Sequence, residues 1–164
     1  MKTTLHKTKN DLPEAKRVKI VELLNSRLAN GIDLHLQTKQ AHWNVKGPNF
    51  IALHELFDKI VGVVAEANDE MAERAAMLGG KPRGTLQAVS KETSLEAYPL
   101  DISAGSDHVE ALSNALAAFG AQIRKAIEAA DKLDDADTAD LFTGISRDID
   151  KQLWFVEAHQ QAAK

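Results

Sequence analysis

Five side chains in one stretch of this sequence have types and spacings that suit metal chemistry: His42, His54, Asp58, Asp69 and Glu73. On a helix, residues four apart lie on one side, about 40° from each other around the axis. His54 and Asp58 form one such pair, Asp69 and Glu73 another. Asp58 and Asp69 are eleven residues apart, close to three whole turns, so all four share a stripe roughly 100° wide. The same spacing separates the pairs by about 16 Å along the axis, too far for one ion to span. One copy of the helix therefore cannot complete a site.

Two copies can. If the helix packs antiparallel against itself across a two-fold axis, Asp58 faces Asp69 of the second copy and His54 faces Glu73. Both pairings share a midpoint between Val63 and Val64, so one axis satisfies both. The stripe residues nearest that point are Gly62 and Ala65, small enough for close approach of two backbones. His42 joins if an αα-hairpin turns at Asn44–Asn49 and returns it to the first turns of the next helix. The expectation is two equivalent sites per dimer, each built from imidazoles and carboxylates of both chains. That donor mixture suits iron, with zinc and manganese as alternatives. Helical His-x-x-x-Asp and Asp-x-x-x-Glu pairs are common on solvated faces, so the argument rests on the shared midpoint. A di-iron site inside one subunit would use Glu-x-x-His repeats, and the sequence contains none.

The elements that must position these residues are helical nearly throughout. Val18, Val21, Leu24, Leu28, Ile32 and Leu36 recur at three- and four-residue spacing, which predicts a helix from about Glu14 to Trp43, with Pro13 at its start. Gly47 and Pro48 mark a turn, and Asn49 is placed to cap a second helix carrying Leu53, Leu56, Phe57, Ile60, Val64, Met71, Ala75 and Leu78 inward. Gly79 and Gly80 stop it. Residues 81–104 lack sustained periodicity. A structureless loop of that length is unusual, so a short helix near Thr85–Ser90 is expected inside a crossover. A third helix from about Ser106 to Ala130 points Val109, Leu112, Leu116, Phe119, Ile123 and Ile127 inward, and a fourth from about Asp137 to Gln160 points Leu141, Ile145, Ile149, Leu153 and Val156. One long crossover in a four-helix bundle is the ferritin-like connectivity. The fold class is all-α, with a basic tail over residues 1–13 and a single bundle domain over 14–164.

Bulk properties narrow the function classes. At 164 residues the chain is long enough for one real core. It has no cysteine, which excludes disulfides, cysteine-ligated metals and thiol catalysis. No apolar run is long enough for a membrane span and no leader pattern opens the chain, so a cytoplasmic location is expected. A net charge of −4 argues against a globally basic nucleic-acid binder. The charge is uneven, however. Lys2, Lys7, Lys9, Lys16, Arg17 and Lys19 crowd the start, while Asp131, Asp134, Asp135, Asp137, Asp140, Asp148 and Asp150 crowd residues 131–150. The acidic group reads as a solvated helix start. If copies of the chain gather around an axis, Asp135, Asp137 and Asp140 are candidates for a negative pore that concentrates cations. Trp43 and Trp154 read as core aromatics, His35 as packed or interfacial, and His108 and His159 show no constellation.

The blocks TKNDLPEAK, AHWNVKGPNFIALHELFD, DEMAERAAMLGG, EAYPLDI and TADLFTGISRDIDKQLWFVEAH resemble the Dps family, the DNA-binding proteins from starved cells, over about residues 8–160. The resemblance implies a ferritin-like subunit in a dodecameric hollow shell. It implies a ferroxidase that oxidises Fe(II), preferably with hydrogen peroxide, stores ferric mineral and so protects DNA from oxidative damage. The histidines of AHW and LHE fall on His42 and His54, the aspartate of LFD on Asp58, and the acids before AER on Asp69 and Glu73 of the two-fold partner. Members that bind DNA do so through a lysine-rich tail. Lys2, Lys7 and Lys9 would give salt-sensitive, sequence-independent contacts here. The competing reading is a nucleoid-compacting structural protein whose metal site is secondary.

Overall fold

The computed structural model describes residues 4–161. Five helices follow one another: α1 (Glu14–Asn44), α2 (Phe50–Met77), α3 (Leu86–Glu92), α4 (Gly105–Asp131) and α5 (Ala136–Glu157). Long α1 and α2 form one antiparallel hairpin and α4 and α5 another, with α3 set in the crossover against α1. The two hairpins close on one core. Ile20, Leu24, Leu34, Phe57, Ile60, Leu116, Phe119 and Phe142 are fully buried within it. This is the four-helix bundle with a helix-bearing crossover that the sequence pattern predicts.

Turn chemistry sets where the helices stop. Pro13 precedes α1 with φ −54°, and its carbonyl accepts from the Lys16 and Arg17 amides. Gly47 supplies the positive φ of +113° needed in the α1–α2 turn. Asn49 does not cap α2 with its side chain as the sequence suggests. Its φ/ψ of −98°/18° is not the extended backbone that lets an N-cap side chain reach back, and only its carbonyl serves, accepting from Leu53 N at 3.0 Å. Gly79 ends α2 with φ +86°, and Gly80 N returns to the Ala75 carbonyl at 2.8 Å.

The crossover is fastened by polar side chains that replace missing backbone partners. Buried Asn25 accepts from Arg83 N and donates to the Lys81 carbonyl, while Arg83 itself bridges Glu22 and Glu92. The Arg83 hydrogen bond holds the Glu22 carboxyl below its usual range. A main-chain bridge ties Lys46, just past α1, to Ala104, just before α4. It brings the α4 N-terminus to the end of α1.

The inward face of α1 differs from the expected stripe. Val21, Leu24 and Leu28 are buried, but so are Ile20 and Leu34, whereas Val18 and Ile32 are half-buried and Leu36 is 49% exposed. Leu36 and Trp43 lie seven residues apart on one side of α1, and Trp43 is 67% exposed rather than a core aromatic. Trp154 is likewise exposed, against the edge of Phe155. Helix α1 packs on both α2 and α4, and that rotates its buried face away from the simple periodic stripe.

Candidate metal centre

The α1–α2 hairpin places His42 and His54 against each other. Their rings stack with centroids 3.7 Å apart and planes 21° from parallel. Each ring nitrogen Nδ1 lies 2.8 Å from the main-chain carbonyl oxygen of the other histidine. A carbonyl oxygen only accepts, so both Nδ1 atoms carry the proton. In the neutral ring the lone pair then sits on Nε2. Orientation of a ligating imidazole through its other nitrogen is how metal sites fix the tautomer. Phe50 supports His54 from the side, with ring centroids 5.1 Å apart.

Asp58 lies one turn beyond His54, exposed, and accepts from Lys39 Nζ at 2.6 Å. The Lys39 hydrogen bond holds its carboxyl below the usual range, and the Lys39 charge adds to the effect. Lys39 is three residues before His42 and so on the same side of α1. The spacing was there in the sequence, but the pairing required knowledge of the hairpin register. A cation arriving at Asp58 must share or displace this ammonium.

Asp69 and Glu73 are exposed farther along α2. The subunit does not bring them to the histidines. Among the described residues no group of three or more His, Asp and Glu side chains is close enough together to hold an ion. Gly62 and Ala65 are exposed between the two halves of the stripe, and a Cβ at Gly62 would project into open space. Beside Asp69, a groove lined by Ile32 and His35 of α1 and by Ala65, Asn68 and Ala72 of α2 runs along the hairpin.

The acidic group near α5 divides in two. Asp135 is no pore residue: it is 2% exposed, ion-paired to Arg74 at 2.8 Å, and caps α5 by accepting from Thr138 N. The basic partner comes from α2 and buries the carboxylate in the bundle. Asp137 and Asp140 remain exposed.

Comparison with known proteins bears on the family and the fold. The Ferritin-like domain family matches residues 21–164. The DNA protection during starvation protein of Agrobacterium fabrum is 52% identical over 161 residues, covering 98% of both chains. That of Mycolicibacterium smegmatis is 38% identical, covering 93% of this chain and 82% of its own. The chain belongs to the Dps family of ferritin-like proteins. Among solved Dps structures, the tetragonal form from Mycobacterium smegmatis superposes with a TM-score of 0.91 at 36% identity, covering 96% of each chain. DpsA14 from Streptomyces coelicolor gives 0.93 at 36% identity, covering 99% and 96%. The Dps fold thus accounts for the crossover helix and the hairpin pairing alike. Among the described residues, no helix is long and apolar enough to cross a membrane.

Proposed function

We propose that the protein is an iron-storing ferroxidase that oxidises Fe(II) with hydrogen peroxide at sites shared across a two-fold dimer and keeps the ferric product inside a dodecameric shell. The observation that carries this reading is the reciprocal tie of His42 and His54, which turns both Nδ1 atoms to main-chain carbonyls and leaves Nε2 for a ligand, with an exposed Asp58 one helical turn past His54 and with Asp69 and Glu73 apart on the same helix. A half-built site with preoriented donors is what a second copy would complete. Asp58 bridges two substrate ions, His54 and the partner's Glu73 fix one, and His42 and the partner's Asp69 hold the other. Two Fe(II) and two protons reduce one peroxide to two waters and leave two Fe(III). Delivering both electrons together avoids release of hydroxyl radical.

Assembly has its own test. Twelve chains of 17.9 kDa make a particle of about 215 kDa, which light scattering on an eluting column should report. Gly62→Trp adds bulk where the two backbones should approach most closely, while the free subunit has open space there. Its expected effect is loss of the dimer contact without unfolding. A fully active native monomer would overturn both the shell and the shared site.

DNA binding is the secondary reading, and the tail bears on it. Leu5 and Leu12 pack against the core, His6 N donates to the Gly79 carbonyl at 2.7 Å, and Arg17 holds the Leu12 carbonyl. Lys7 and Lys9 are exposed from this docked segment; Lys2 lies outside the described residues. Weak retardation of duplex DNA at moderate salt is expected, and Lys7→Gln with Lys9→Gln should remove it. Strong condensation that survives those changes and the loss of all five ligands would make compaction the primary role.

A further inference from the structure

The chain has a single tyrosine, Tyr98 in the crossover. Its hydroxyl lies 2.7 Å from Nδ1 of His108 in the first turn of α4, and the rings are 15° from parallel. His108 is 1% exposed. Its Nε2 is buried without a hydrogen-bond partner, and the Asn44 backbone at the end of α1 lies close to the ring. A phenol hydroxyl at this distance donates to the Nδ1 lone pair when the ring hydrogen is on Nε2. Burial lowers the proton affinity of His108 and pushes the Tyr98 hydroxyl up. The resting pair is therefore an intact phenol facing a neutral base.

This arrangement has a chemical consequence that a plain structural tie lacks. Removing an electron from a phenol makes it a strong acid, so oxidation is easy only where a base can take the proton at once. We infer that Tyr98 and His108 form a one-electron donor that quenches stray oxidants escaping the metal site. Tyr98 gives an electron to a hydroxyl radical, which becomes hydroxide, while the phenolic proton passes to His108 Nδ1. The products are a neutral tyrosyl radical and an imidazolium. One Fe(II) resets the pair: it becomes Fe(III), its electron goes to Tyr98 and the proton returns from His108. A cavity of about 540 Å³, walled by Leu95, Pro99, Ile102 and Ala115, lies against Tyr98 and gives small oxidants a route to the ring. On its other side the pair abuts Asn44, two residues from His42 on α1. The physiological oxidant rests on the iron–peroxide reading above; the donor chemistry does not.

The test uses the full-length, iron-free assembly with Trp43→Phe and Trp154→Phe, which leaves Tyr98 as the one remaining Tyr or Trp. Photogenerated ruthenium(III) tris-bipyridine serves as the oxidant, and freeze-quenched electron paramagnetic resonance is the readout. A neutral tyrosyl signal is expected, abolished by Tyr98→Phe. His108→Gln keeps an acceptor but not a base. It should slow radical formation about 100-fold and make the rate climb with pH, because solvent must then take the proton. No tyrosyl signal in the parent, or an unchanged rate and pH profile in His108→Gln, would overturn the pair. A second arm replaces ruthenium with Fe(II) and peroxide. A radical with ruthenium but none in that arm would uphold the donor pair and overturn its assignment to iron–peroxide chemistry.

Discussion

Replacing His54 and Asp58 together with alanine is expected to slow peroxide-driven Fe(II) oxidation at least 100-fold, an order-of-magnitude figure, while leaving an assembled particle. His54 is half-buried and Asp58 exposed, so neither contributes much to the core. What the double change removes is one oriented imidazole, its stack on His42 and the carboxylate proposed to bridge two ions. Stopped-flow absorbance of ferric iron gives the rate, and column light scattering checks the assembly. Unchanged oxidation in an intact particle would sink the proposed site.

Mixing variants asks the sharper question of whether the site is shared. A subunit with His54→Ala and Asp58→Ala retains its own Asp69 and Glu73; a subunit with Asp69→Ala and Glu73→Ala retains its own His54 and Asp58. In a mixed dimer the damaged halves meet at one site and the intact halves at the other. Each variant alone should be inactive, and subunit exchange should restore as much as half of the normal rate per mixed dimer. A site confined to one chain would show no recovery.

Why so much of this was visible in the sequence, and some not, follows from where each partner lies. The α2 stripe was legible because its residues share one helix and helical spacing alone sorts them. Leu53, Phe57, Ile60, Val64 and Met71 are buried, and Gly62, Ala65, Asp69 and Glu73 exposed, as the pattern predicts. Leu36 and Trp43 were misread because α1 faces two neighbours, and periodicity does not say where the edge of a wide buried face falls. His108 carried no signal because its partner, Tyr98, sits in a crossover without periodicity. The mutual tie of His42 and His54 runs through main-chain carbonyls, which exist in every residue and so mark none. Lys39 is in helical register with His42, yet its pairing with Asp58 depends on the turn between the helices. Asp135 was the clearest error. Its neighbours in sequence are acidic and solvated, and its partner lies 61 residues away.

That partner makes Asp135→Ala the substitution expected to destabilise the subunit most. Asp135 Oδ1 accepts from Arg74 NH2 at 2.8 Å and from Thr138 N at 3.1 Å, and Oδ2 accepts from the Thr138 hydroxyl at 2.5 Å. Arg74 Nε in turn donates to Thr138 Oγ1 at 2.9 Å. The network joins the last turn of α2 to the first turn of α5, with Asp135 2% and Arg74 12% exposed. Losing the carboxylate leaves a mostly buried guanidinium without its charge partner and α5 without its cap. Breaking a buried pair from one side costs about 3–5 kcal/mol, and losing an N-cap by itself costs about 1 kcal/mol. Asp137, 3.8 Å from Arg74 but 85% exposed, is too solvated to compensate. Asp135→Asn keeps an acceptor for Thr138 N and removes only the charge, so it should fall between native and alanine. Arg74→Met strands the carboxylate instead, and its cost combined with Asp135→Asn should be well below the sum of the two alone. Denaturant unfolding of the assembled protein measures each step, and a loss under about 1 kcal/mol for Asp135→Ala would refute the buried-network account. The initial rate of iron oxidation per intact particle separates this role from uptake. It should hold for Asp135→Asn and fall at low salt for Asp137→Asn with Asp140→Asn, whose exposed charges alone can act on an arriving cation through solvent.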